Sequence, residues 1–294
     1  MFKEIDDVIF PVGIILFQKQ LMKKILVTTD FSAASTHSLD YTCQLLKGKD
    51  VEIELLHIYS VPVNYTSDGI ALVAINDAIE RATELLDNEL ERSRQAFPGI
   101  RIQGKVHSGH QKDILIEEIA TVRPLFVVIS TSGYEDIFPG DPDPLDILVS
   151  LAAPVFFVPI GAPMIPVRNA AFACNYAYVG PQTPTDEMMN LIRFIDAKLH
   201  VVHADPNPEG SDQQQESGKT WLNDQLAPVT PTFHWIQDED ALHGISNFVQ
   251  SGNADCLIIV PRRFGIWENL FERRQMKALA RLNKVPVLAF HNKV

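Results

Sequence analysis

The sequence predicts an α/β protein built from two repeated open parallel five-stranded sheets with helices on both faces. Three observations carry this prediction. Short β-type apolar runs alternate with amphipathic helical stretches along the chain. The strand–helix order passes through five strands and then restarts after a proline-rich bridge. The run Leu125–Thr131 (LFVVIST) is continuously apolar, as a strand covered on both faces requires.

In the first half, Lys24–Thr29 forms a strand that ends at Asp30, and Ser32 caps a helix to about Leu46 that Gly48 closes. Val51–Tyr59 is the second strand. Asp77–Phe97 is a helix with Ile79, Ala82, Leu86 and Leu90 on one face, stopped by Pro98-Gly99. Then come strand Ile100–His107, helix Asp113–Val122, strand Leu125–Thr131, a short helix Leu145–Leu151 and the last strand Val155–Val158. Pro159, Gly161, Pro163 and Pro166 make a short stiff linker.

The second half repeats the order. Ala170–Cys174 stands for the first strand, with Asn175 in the place of Asp30, and Thr185–Ala197 for the first helix. Leu199–Ala204 puts His203 opposite His57; both read as core-edge histidines. A polar loop, 205–218, precedes a shortened helix containing Trp221–Leu226. Phe233–Gln237, helix Leu242–Gln250 and Cys256–Val260 follow, and Pro286-Val287 opens the last strand as Pro154-Val155 does. The offset between halves is 145–146 over the first two strands and is expected to be 131–132 afterwards, as for a duplication with one deletion. The expected domains are 22–160 and 167–294.

Residues 1–21 stand apart. Val8–Phe17 is apolar but too short to span a bilayer, is broken by Pro11 and Gly13, and follows Lys3, Glu4, Asp6 and Asp7 rather than a positive leader. The segment is either a start-site artefact upstream of Met22 or an arm packed on the body.

Composition narrows the function. A chain of 294 residues, 46% hydrophobic and 21% charged, suits two folded domains rather than a disordered chain. With 25 basic against 37 acidic residues the net charge is −12, which argues against nonspecific nucleic-acid binding and against docking on anionic membranes. Cys43, Cys174 and Cys256 are far apart, which suits buried thiols in a reducing cytoplasm rather than disulfides or zinc. His107, His110 and Asp113 sit at a strand end leading into a turn, and no metal is expected there. No GxSxG elbow frames Ser32 or Ser35, so no catalytic residue is assigned.

Four stretches resemble the universal stress protein family: MKKILVTTDFSAAS from Met22, Ser108-Gly109 before a helix with Ile114, Phe126–Ser130 leading to Gly133, and the strand after Ala153-Pro154. The resemblance covers about residues 22–294 and reads as a tandem member. It implies a five-stranded parallel α/β domain in each half. It also implies pairing through the last strands, Val155–Val158 and Val287–Phe290, as an internal pseudo-dimer that a homodimer could extend.

ATP-binding members of that family carry G-x2-G-x9-G-[ST] after the fourth strand. Here Ser130 and Gly133 take the first two positions, and Asp143-Pro144 replaces the last pair among Glu135, Asp136, Asp141 and Asp146. Aspartate repels phosphate and proline lacks an N–H, so only Asp30 and Gly133 match. Asp30 reads either as a contact to a ribose or adenine edge or as a capping carboxylate. In the second half Arg262 and Gly265 take the glycine positions, and Gln275-Met276 replaces the last pair. Arg263, Arg273, Arg274, Lys277, Arg281 and Lys284 surround them, as a site for an anion or acidic partner or as a solvated helix face. The expectation is a cytoplasmic, non-enzymatic stress-response protein acting through ligand sensing or protein contacts, with no required cofactor. The alternative is an ATP binder with slow hydrolysis.

Overall fold

The computed structural model describes residues 22–59, 70–131, 151–205, 212–261 and 284–292. The first half gives β1 (Lys23–Thr29), α1 (Ala33–Leu45), β2 (Val51–Tyr59), α2 (Ile70–Ala96), β3 (Arg101–Ser108), α3 (Gln111–Val122), β4 (Val127–Thr131) and β5 (Val155–Pro159). The second gives β6 (Asn169–Ala173), α4 (Thr185–Ile195), β7 (Lys198–Ala204), α5 (Gln213–Leu226), β8 (Thr232–Ile236), α6 (Ala241–Phe248), β9 (Cys256–Ile259) and β10 (Val287–Ala289). The expected helix Leu145–Leu151 falls almost wholly outside the described residues, and so does the N-terminal segment 1–21.

The ten strands among the described residues lie in one sheet, in the order β3-β2-β1-β4-β5-β10-β9-β6-β7-β8. Every neighbouring pair is parallel except β5 with β10, where Val155, Phe156 and Phe157 oppose Ala289, Leu288 and Val287. One core lies on each face. Ile25, Phe126, Phe156, Phe172, Met188 and Leu288 belong to one, and Leu26, Leu115, Phe157, Ile245, Leu257 and Val287 to the other. Between the halves, the N–H groups of Arg168 and Asn169 both donate to Asp255 Oδ2 at 2.9 Å, anchoring the linker against the start of β9.

The register refines the offset. Lys24 corresponds to Asn169 and Glu52 to Lys198, 145 and 146 residues apart. Val106 and Trp235 both lie opposite the strand-two histidine, 129 apart; Val127 and Leu257 are 130 apart; Val155 and Val287 are 132 apart. The offset after the deletion is therefore stepped, not the expected constant 131–132, because the later loops differ in length.

Two further expectations are corrected. Ile79 is 40% exposed, whereas Ala82, Leu86 and Leu90 on the same stripe are buried, so the sheet covers this stripe from Ala82 but not at Ile79. The last six residues of the expected polar loop 205–218 are helix: Asp212 accepts a bond from Gln215 N–H, and α5 runs from Gln213. Its glycine has a packing reason. A Cβ at Gly218 would lie 1.8 Å from the Tyr176 carbonyl oxygen, in a 3-10 turn (Tyr176–Tyr178) that follows β6.

The inner polar positions differ between halves. In the first, Lys24 Nζ lies 3.2 Å from Glu52, and Lys105 Nζ 2.8 Å from both Glu54 and Glu118. Burial opposes the charge on Lys105, but the bonds to Glu118 and Glu54 outweigh it and raise its pKa. In the second, the corresponding positions are Asn169, His200 and His234. His200 Nδ1 is 3.0 Å from His234 Nε2, and His200 Nε2 is 3.3 Å from Asn169 Oδ1.

Two predictions follow from this packing. Gly218→Ala should cost about 1–3 kcal/mol, because backbone rather than a side-chain tip blocks the methyl group. Gly104→Ala, whose Cβ would meet first the side chains of Leu86 and Leu90 rather than backbone, should cost less in the same denaturant titration. Burial lowers the pKa of His200, with His234 and Lys198 adding to the effect, and burial lowers that of His234. The unfolded chain therefore binds more protons just below the ordinary value of 6.5. The stability that the neutral pair supplies is complete above that value and is lost as the pH falls through the lowered values. A His200→Gln/His234→Gln chain should show a flatter loss of stability between neutral and mildly acid pH; an unchanged slope would refute this account.

Candidate functional site

β1 ends in Thr28 and Thr29, and the chain must turn at Asp30 to enter α1. The turn is made by side chains bonding to nearby backbone. Phe31 N–H donates to Thr29 Oγ1 at 3.0 Å, Ser32 N–H to Asp30 Oδ1 at 2.9 Å, and Ser35 N–H to Ser32 Oγ at 3.3 Å. The last bond confirms Ser32 as the helix cap. The Thr29 hydroxyl donates to Ser35 Oγ, which donates to the Ser32 carbonyl. Phe31 adopts a left-handed φ of 62°, uncommon for an aromatic residue. Its ring lies 4.4 Å from that of His57 on β2. His57 Nδ1 sits 2.8 Å from the Thr29 carbonyl and so carries the proton.

Asp30 remains at the exposed rim of this network. Burial alone would raise its pKa, but bonds from Ser32 and Ser35 outweigh that and hold it below the ordinary carboxylate range. Ser130 is the next-to-last residue of β4, the strand beside β1, so the fold brings Asp30 and Ser130 to the carboxyl ends of adjacent strands. Ligands of open α/β sheets bind outside these ends. Gly133 lies outside the described residues, and so do Arg262, Arg263, Gly265, Arg273 and Arg274. By the strand register the counterpart of Ser130 in the second half is Val260, two residues before Arg262.

The second half repeats the geometry with other side chains. Asn175 Oδ1 accepts from Ala177 N–H at 2.9 Å, the same two-residue turn that Asp30 makes. His203 Nδ1 is 3.2 Å from the Cys174 carbonyl, and Tyr176 stacks on its ring at 4.3 Å. Trp235 packs edge-on against His203 at 4.6 Å. Burial lowers the His203 pKa despite the bond to Cys174 and the Asp205 carboxylate 3.8 Å from Nε2, so the ring is held neutral among aromatic neighbours beside one carboxylate. Sequence reasoning paired His57 with His203 and Asp30 with Asn175 but missed their ring partners. The same offset, applied to Phe31, leads to Tyr176.

His107 pairs with Glu118 at 3.0 Å and His110 with Asp113 at 3.6 Å, which splits the histidines that the sequence groups. Among the described residues no cluster of three metal-ligating side chains occurs, and no helix is long and apolar enough to cross a membrane.

Residues 22–137 match the family model described as the universal stress protein family. This part of the chain is a universal stress protein domain. Solved structures agree on the fold across both halves. A universal stress protein from Archaeoglobus fulgidus superposes with a TM-score of 0.60 at 14% identity, covering 92% of this chain and 96% of that one. A putative universal stress protein from Pseudomonas aeruginosa gives 0.54 at 14% identity, covering 93% and 94%. No curated protein matches the sequence. Within the universal stress protein domain, Asp30, Ser32 and His57 thus stand at the carboxyl ends of a family sheet.

The capping network sets a further expectation. Ser32→Ala should cost about 1 kcal/mol, the usual worth of such a cap. Asp30→Asn should keep the turn, because Asn175 makes the same bond in the second half. It should change stability by no more than about 0.5 kcal/mol, as at other exposed sites. Thermal melts of the two variants compare them directly; a loss at Asp30→Asn as large as at Ser32→Ala would show that the charge itself holds the turn.

Proposed function

We propose that this chain is a cytoplasmic, non-enzymatic stress-response protein that senses a small ligand or contacts a protein partner through the carboxyl ends of its strands. The observation that supports this most is the state of the polar groups around Asp30. Thr29, Ser32 and Ser35 spend their hydroxyls on local bonds, and among the described residues no histidine is hydrogen-bonded to Ser32 or Ser35. His57 directs Nδ1 to backbone. A nucleophile needs a base within hydrogen-bond reach, and a general base works best with a pKa near the working pH. Asp30 is held low, which suits an acceptor for ligand hydroxyl or amino groups rather than a proton shuttle.

The rival reading, ATP binding with slow hydrolysis, has Asp30 in its favour and Asp143-Pro144 against it. Calorimetric titration with ATP at low salt separates the two. The expected result is binding weaker than micromolar. Micromolar affinity that disappears in Asp30→Ala would overturn the proposal in favour of the rival.

A further inference from the structure

The antiparallel junction leaves a cleft of about 640 Å³ on one side of the sheet. The amino ends of β4 and β5, the carboxyl end of β10 and one side of α4 line it, so both halves contribute. Its volume falls in the usual range for small-molecule sites. Leu125, Leu151, Pro154, Leu191 and Phe290 supply apolar wall.

The polar lining has a defined hydrogen-bond sense. His291 Nε2 lies 2.7 Å from the Ala153 carbonyl, which can only accept, so Nε2 carries the proton. Burial keeps the ring neutral against the pull of that bond, which leaves Nδ1 as a bare acceptor. Asn292 Nδ2 donates to the Pro261 carbonyl, which fixes the amide orientation. Asn292 Oδ1 is then a buried acceptor with no partner, a costly state for a polar atom. His291 Nδ1 and Asn292 Oδ1 are thus acceptors on consecutive residues that line the cleft just past β10. The rim carries one charge of each sign, Arg123 from the left-handed cap of α3 and Glu187 from α4. Neither has an ion pair among the described residues.

A plain anion in this cleft would face Glu187, and a plain cation would face Arg123. A zwitterion satisfies both. We propose that the cleft binds an apolar α-amino acid. Its ammonium group donates to His291 Nδ1 and Asn292 Oδ1 on the Glu187 side. Its carboxylate meets Arg123, for which a guanidinium fork is well shaped. Its side chain lies on the leucine and phenylalanine wall. This site is separate from Asp30 and does not depend on the reading of that cluster.

The test uses the full chain and L-phenylalanine, followed through amide and imidazole resonances. The expected dissociation constant is about 1 mM or tighter. 3-Phenylpropionate, which lacks the amine, and phenethylamine, which lacks the carboxylate, should each bind at least about tenfold more weakly. Leu191→Trp, which fills the cleft, should abolish binding. Arg123→Gln should weaken L-phenylalanine but leave phenethylamine unchanged, and Asp30→Ala should leave both unchanged. Failure of L-phenylalanine to bind the wild-type chain would overturn the proposal. So would equal binding of the three probes, or binding indifferent to both cleft substitutions. Leu191→Trp could disturb folding; Arg123→Gln, at an exposed position, keeps the proposal open to refutation in that event.

Discussion

The sheet depends on one short contact, the antiparallel pairing of β5 with β10. Three residue pairs make it, and every residue of both strands is buried. Without it, β5 (VFFVP) and β10 (VLA) would each end a parallel array as an apolar edge strand, the kind of edge that invites uncontrolled association. The alternation of side chains carries the contact to both faces. Phe156 faces Leu288 across the junction within one core, and Phe157 faces Val287 within the other. Both layers of helices therefore rest on cores that cross the junction, and burial rather than a hydrogen-bond ladder of any length holds the halves in line.

Corresponding positions on the two sides of that junction solve one problem in opposite ways. Glu54 is 3% exposed, and a carboxylate so deeply placed needs charged partners, which Lys24 and Lys105 provide. At the matching positions the second half has Asn169, His200 and His234, which satisfy one another as neutral groups. The choice sets how each half responds to acid. Lys105 bonds hold Glu118 below the ordinary carboxylate range against the effect of burial, so the ionic network persists through the pH range in which histidines protonate. The second half carries His200, His203, His234 and His291, all shifted down by burial. Mild acid thus stresses the second half first.

The strand pattern was legible because buried parallel strands leave continuous apolar runs that little else produces. Ser32 was legible because a cap needs a short hydroxyl side chain at a fixed place. The start of α5 was not. Gln213 to Gly218 carries no apolar period, and the helix is held by the Asp212 cap and by the close approach of Gly218 to the Tyr176 carbonyl, a contact between segments more than 40 residues apart. Ile79 failed for the converse reason: its spacing fits the buried stripe, but burial requires sheet beneath it. At the candidate site, the bonds of Asp30 and Asn175 follow from side chains acting on their own backbone, which sequence exposes. The stacking of Phe31 on His57 and of Tyr176 on His203 depends on strand register, which sequence gives only through the offset.

The direction of the central pair also decides where ligands can act. Because β5 and β10 run in opposite directions, the carboxyl ends of the first five strands and those of the second five open on opposite edges of the sheet. The Asp30 and Asn175 clusters therefore cannot share one ligand. Any effect of a ligand at Asp30 on the second half must pass through the packed junction. The cleft beside Phe290 and His291 is placed differently: the amino ends of β4 and β5 form one wall, and the end of β10 with α4 forms the other. A molecule held there would touch both halves at once and would bear directly on β5 and β10. A ligand at Asp30 would act within one half, whereas a ligand in the cleft would bear on how the two halves meet.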